Sequence, residues 1–320
     1  MGETNQTHAA KAPALGVKWA HTRESSGSCP KCQYRLPRLL DSGPPYFRDG
    51  FVVCEKCKER VDLWQAALDH AKMLKETAWA LEWIGAGNTA FLVSMKAGDY
   101  CEIELTEHAV PANARILSTN FTSQGGPNGA VTALEWHGNT PQPRRNQGTK
   151  LRLWAIPLGD GAASRIGDVA ISAVWLRPDD SAAWPYLVSA FESVAEKDYA
   201  PALVFAQSAV EASMMPLISD RFGRHASAER VKNFMKGALT YGYALNVVLP
   251  YICAELKLPK IPDPIRGALN KMRDERNDII HEGSRRAGIT ADDAIEGLCA
   301  AAFGFEYMRF IAPSFSRPNE

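Results

Sequence analysis

The 320-residue chain contains no run of 18 apolar residues, so the sequence offers no membrane-spanning helix. It has no G-x-x-x-x-G-K-[ST] loop and no strand-preceded G-x-G-x-x-G turn, which excludes both common backbone cradles for nucleotide phosphates. Gly85-Ala86-Gly87 lacks the preceding strand and the later glycine. Net charge is also missing. Lys+Arg and Asp+Glu stand at 36 each, so any nucleic-acid contact must come from a local patch. The first residues, Met1-Gly2-Glu3-Thr4-Asn5-Gln6, carry no apolar signal segment, and Gln6 stands where a myristoylation pattern needs serine or threonine. Seven cysteines is an odd number and does not suggest a disulfide framework. The expectation is a cytoplasmic protein without membrane association.

What is present is ordinary in bulk: 46% hydrophobic and 22% charged residues, in a chain long enough for two or three cores. The information lies in two local patterns. Cys29-Pro30-Lys31-Cys32 is followed, after a 21-residue insert, by Cys54-Glu55-Lys56-Cys57. Two C-x2-C pairs can each form a knuckle that aims two thiolates at one ion, and four thiolates close the coordination shell of a structural zinc. The four candidate ligands are Cys29, Cys32, Cys54 and Cys57. The pattern resembles the zinc ribbon, with residues 33–53 as ribbon strands turning at Gly43-Pro44-Pro45. Arg35, Arg38, Arg48, Lys56, Lys58 and Arg60 surround it, a distribution compatible with phosphate contact. Cys101, Cys253 and Cys299 read as buried thiols.

Residues 1–27 read as a loose polar tail and 28–61 as the ribbon. A connecting helix is expected over 62–87, in which Trp64, Trp79 and Trp83 are core anchors or a stacking surface. From 88 to 177 the period changes to two. Strands are predicted at Ala90–Met95, Tyr100–Leu105, Ala114–Phe121, Ala130–Trp136, Lys150–Pro157 and Asp168–Leu176, an arrangement expected to form a sandwich-like β domain. Arg144, Arg145, Lys150 and Arg152 form a basic cluster there, read as a solvated hairpin or an anion-facing loop.

Residues 182–313 are predicted to be all-helical. The segments run 185–198, 200–221, 226–240, 242–257, 264–282 and 290–311, the last opened by a Thr290/Asp293 capping box. The whole is a multidomain α+β chain. In the helix begun by Asp263-Pro264, Arg276 falls inside an apolar stripe and requires a partner anion or a strong hydrogen-bond acceptor. Glu211, in the apolar segment Leu203–Ile218, is the natural candidate for that partner.

The second pattern is Arg276-Asn277-Asp278-Ile279-Ile280-His281. It resembles the R-x(4–6)-H motif of HEPN-domain ribonucleases, whose arginine is often followed by a polar residue. The resemblance covers the C-terminal part only. It implies a helical bundle, a homodimer, and metal-independent RNA cleavage in microbial antiviral defence or stress response, with the other domains sensing or recruiting a regulatory partner. Histidine titrates near neutrality and suits proton transfer, and the arginine fork suits phosphorane charge. The candidate catalytic residues are Arg276, Asn277 and His281, with Glu211 as an orienting partner. On an ideal helix Arg276 and His281 lie about 140° apart, whereas Asn277 and His281 lie about 40° apart. A shared site therefore requires a loosened last turn or a second subunit. The alternatives are a non-catalytic dimerisation module with a structural Arg276, and a zinc-ribbon regulator that binds nucleic acid.

Overall fold

The computed structural model describes residues 17–23, 27–37, 39–74, 86–96, 100–112, 114–124, 131–134, 149–157, 166–176, 181–282 and 288–315. In chain order the elements are β1 (Val17–Arg23), α1 (Leu39–Asp49), β2 (Val52–Val53), β3 (Arg60–Val61), α2 (Leu63–Leu74), β4 (Ala86–Lys96), β5 (Tyr100–Glu104), β6 (Arg115–Gln124), β7 (Val131–Leu134), β8 (Lys150–Pro157) and β9 (Ile166–Leu176). Then come α3 (Trp184–Ala195), α4 (Tyr199–Gly223), α5 (Ala228–Gly237), α6 (Tyr241–Tyr243), α7 (Leu249–Glu255), α8 (Asp263–Glu282) and α9 (Ala291–Phe315). The fold is mixed α+β, with a four-cysteine cluster near the N-terminus and a mostly helical C-terminal half. Two compact units emerge, one of Met1–Arg23 with Ala86–Pro178, the other of Glu24–Gly85 with Asp179–Glu320.

In the first unit two antiparallel sheets run β1-β4-β9-β6 and β5-β8-β7. Alternation explains the register: Phe91 opposes Ile171 and Val93 opposes Val169, so every second residue of both strands faces one core. That core also takes Cys101 and Ile103 from β5 and Leu151 and Leu153 from β8. The Trp175 indole N–H donates to Thr89 Oγ1 at 3.2 Å, which satisfies the polar atoms of two fully buried side chains. The stretch expected as a loose tail supplies β1, antiparallel to β4 with Thr22 opposite Thr89. β1 stands at the edge of its sheet. Lys150 opens β8, whereas Arg144 and Arg145 lie outside the described residues.

The second unit is built around α9. Nearly every residue from Ala294 to Met308 is buried, because α3, α4 and α8 as well as α1 and α2 pack against it. Thr290 and Asp293 cap its start reciprocally: the Asp293 N–H donates to Thr290 Oγ1, and the Thr290 N–H and hydroxyl donate to Asp293 Oδ2. The other central helix, α4, has the length and apolar character of a membrane span, yet it packs on α3, α8 and α9.

Two local expectations come out differently. The insert 33–53, expected as strands with a Gly-Pro-Pro turn, carries helix α1 with Pro44 and Pro45 inside it. Leu39, Ser42, Gly43, Tyr46 and Phe47 are buried at helical spacing, and that face outweighs the two lost N–H donors. Strand pairing among the described residues of this module is limited to the two-residue β2–β3 ladder and a single bridge between Ser28 and Arg35. The predicted helix 242–257 is interrupted by a π-turn over Ala244–Val248 just before Pro250. Of the connecting helix 62–87, α2 is described through Leu74, while Trp79 and Trp83 lie outside the described residues.

Candidate metal centre and the Arg276 helix end

The two C-x2-C segments fold as matching knuckles. In each, the first cysteine's N–H donates to the carbonyl five residues on, Cys29 to Tyr34 at 2.8 Å and Cys54 to Glu59 at 2.9 Å. In each, the N–H four residues on returns to the first cysteine's carbonyl, from Gln33 and from Lys58, both at 2.9 Å. Closing so tight a turn puts Gln33 at φ 57° and Lys58 at φ 62°, in the left-handed region. The local sequence therefore specifies the same loop twice.

The knuckles face each other. Sγ of Cys29 lies 3.6 Å from that of Cys57, Sγ of Cys32 lies 3.6 Å from that of Cys54, and all four sulfurs fall within 4.8 Å of one another. Zinc–sulfur bonds of about 2.3 Å in a tetrahedron place sulfurs about 3.8 Å apart. The tetrad therefore fits a metal ion such as zinc, and its spacing is far too long for disulfides. Backbone N–H groups, that of Cys57 first, favour the Cys54 thiolate, the form that binds metal, whereas the neighbouring sulfurs hold the proton on Cys57. Lys31 reaches from one knuckle to Glu59 of the other, Nζ to Oε2 at 2.6 Å.

The knuckle module is continuous with the helical unit. Tyr46 donates its hydroxyl to Asp62 at 3.0 Å, joining α1 to the start of α2. Phe47 stacks edge-on to Tyr307 at 5.4 Å between ring centroids, and Trp64 does the same to Phe303 at 5.3 Å.

On α8, Ile265, Ala268, Leu269, Met272 and Ile279 form a buried stripe, whereas Ile280, expected to continue it, is 48% exposed. Arg276 is half-buried beside it, and its Nη1 donates to Asn277 Oδ1 at 3.2 Å. Among the described residues no ion pair joins Arg276 to Glu211. The carboxylate of Glu211 instead lies close enough to Tyr241 to disfavour loss of the phenol proton, a shift whose main cause is burial of Tyr241. Arg273 is the cation of that neighbourhood and lies against the backbone at Gly242. The reciprocal amide pair Asn246–Asn270, at 2.8 and 3.0 Å, ties the π-turn to α8 on the same side.

The last turn of α8 stays α-helical through Glu282, so it does not loosen to bring His281 beneath Arg276. His281 therefore stands about 140° round the helix from Arg276 and about 40° from Asn277. Nothing is described of the His281 side chain itself, and the expected stop at Gly283 lies outside the described residues. The chain brings Arg276 and Asn277 together and does not bring Glu211 to them. Cys101, Cys253 and Cys299 are buried, as expected of structural thiols. Arg273 and Tyr241 were missed in the sequence; Arg273, three residues before Arg276 on a polar helix face, is the visible signal. No protein-family model, characterised protein or solved structure matches this chain.

Proposed function

We propose that the protein is a metal-independent endoribonuclease of HEPN type, a homodimer whose C-terminal helical region carries the site and whose cysteine tetrad holds a structural zinc. One observation carries the reading. Arg276, half-buried on a core-facing helix, has no carboxylate partner among the described residues and instead hydrogen-bonds Asn277 of the same motif. An arginine needed only for the core would be expected to hold a carboxylate there. An arginine kept for a phosphate would not.

In this reading a 2′-hydroxyl attacks the adjacent phosphorus as one His281 imidazole takes its proton. The developing phosphorane charge falls to Arg276, and a protonated His281 of the second subunit gives its proton to the departing 5′-oxygen. The products are a 2′,3′-cyclic phosphate and a free 5′-hydroxyl. Asn277, bonded to Arg276 and one turn from His281, aligns the two. Four thiolates leave zinc no open position, so its role is to hold the fold. Defence or stress response follows from the motif resemblance alone, as does a regulatory partner acting through the β-rich unit.

The test is incubation of zinc-loaded protein with mixed RNA in magnesium-free buffer, beside His281→Ala, with fragment ends mapped and zinc content checked before and after. Fragments ending in 2′,3′-cyclic phosphate, absent with the variant, are the expected result. Equal cleavage by both proteins removes His281 from the chemistry.

A further inference from the structure

A cleft of about 520 Å³ opens beside the metal tetrad, lined by Cys32, Gln33, Tyr34, Arg35, Glu55 and Lys56 among others. Three features distinguish it from an ordinary solvated face. Tyr34 is 42% exposed although its own carbonyl is fixed by the Cys29 N–H, so an aromatic ring is held on a rigid turn without covering the core. Arg35 and Lys56, both exposed, carry no ion pair among the described residues, whereas nearby Lys31 is neutralised by Glu59. Gln33 anchors its amide nitrogen on the Pro30 carbonyl at 3.3 Å, which leaves its amide oxygen as an acceptor on the lining. Glu55 adds a second acceptor.

We propose that this cleft binds single-stranded RNA, with one unpaired base stacked on Tyr34 and the adjoining phosphates on Arg35 and Lys56. An aromatic face flanked by two uncommitted cations is what an unstacked nucleotide requires, and a base locked in a duplex presents no face to stack on. The acceptors Gln33 and Glu55 suit a base with an exocyclic amino group, such as cytosine. A chain close to neutral overall needs such a local patch to hold a polyanion. The proposal deepens the ribonuclease reading by assigning substrate capture to the knuckles, but binding here does not depend on cleavage.

The experiment is fluorescence anisotropy of a labelled cytidine octamer with full-length, zinc-loaded His281→Ala, which removes the proposed chemistry. Tyr34→Ala is expected to weaken binding about tenfold, and Tyr34→Phe to retain it. Arg35→Ala with Lys56→Ala is expected to weaken binding and to reduce the slope of log affinity against log salt by about 1.4. All variants should keep zinc content and melting temperature, because each side chain lies at the surface. Unchanged affinity in Tyr34→Ala and in the double variant overturns the proposal, as does equal competition by duplex RNA. A failed cleavage assay with intact, Tyr34-dependent binding would overturn the ribonuclease reading and leave this one standing.

Discussion

Trp64 meets Phe303 edge-on, with ring centroids 5.3 Å apart and planes at 86°. The first residue follows the second cysteine knuckle, and the second lies in the most buried stretch of the last helix. Two segments separated by the whole β-rich unit thus share one core. The four-cysteine cluster is therefore not an appended module. Whatever holds the knuckles closed also fixes one wall of the helical unit.

Metal removal should consequently be felt far from the cysteines. Structural zinc binding to small modules contributes on the order of 10 kcal/mol. Stripping a bound metal with a strong chelator is expected to lower the melting temperature of the helical signal in circular dichroism. Trp64→Ala should destabilise the same transition by about 3 kcal/mol even with metal bound. An unchanged helical melt after verified metal loss would show that the knuckles fold independently.

Much of this was legible and part was not, for reasons that attach to particular residues. The cysteine spacing and the period-two strands were visible because each depends on near neighbours in sequence. Helix α1 was not, because Pro44-Pro45 is a strong local turn signal, while the stripe Leu39, Gly43, Tyr46, Phe47 counts only once Tyr307 and Phe303 are there to cover it. The edge strand β1, VKWAHTR, carries only a short and mixed apolar pattern in sequence. Arg276 was expected to need Glu211 because a one-dimensional reading cannot tell that its guanidinium turns to the adjacent Asn277 instead.

Close packing at one glycine gives a sharper test of the helical core. A Cβ at Gly297 would collide with Leu203 Cδ2, and Leu203 is fully buried and cannot swing aside. Alanine usually stabilises a helix interior relative to glycine by up to about 1 kcal/mol. Here overpacking should win, and Gly297→Ala should destabilise by about 1–3 kcal/mol. At Gly242 the colliding atom is the far end of the half-buried Arg273, so Gly242→Ala should be milder. Chemical denaturation of both variants checks the order, and the reverse ranking would contradict this packing.

His108 makes the β-rich unit sensitive to acid. It is stacked on Phe91 with ring centroids 4.0 Å apart, and burial lowers its pKa below the ordinary 6.5, with Glu107 opposing the shift. The unfolded chain therefore takes up this proton first as pH falls. Stability is unaffected well above 6.5 and declines as pH drops from there toward the folded value. Melts at pH 7.5 and 5.5, followed by the β signal, should show a smaller acid-induced drop in His108→Gln than in the unaltered protein. Identical drops would remove His108 as the cause.

The division of labour between Asn277 and Glu211 separates a working site from a structural arginine. Asn277 Oδ1 accepts from Arg276, and its position one turn from His281 makes it the natural link between the two. Glu211 lies near Tyr241 and makes no ion pair with Arg276 among the described residues. In the ribonuclease reading, Asn277→Ala frees the guanidinium to wander and should lower the cleavage rate about tenfold or more at unchanged melting temperature, since small misplacements are expensive in rate. Glu211→Gln keeps the shape and removes only charge, so its rate should stay within about threefold while stability shifts modestly. Single-turnover rates and melts of both variants decide the matter. If Glu211→Gln abolishes cleavage and Asn277→Ala does not, the arginine is held through Glu211 in the active dimer, and the Arg276–Asn277 contact is incidental.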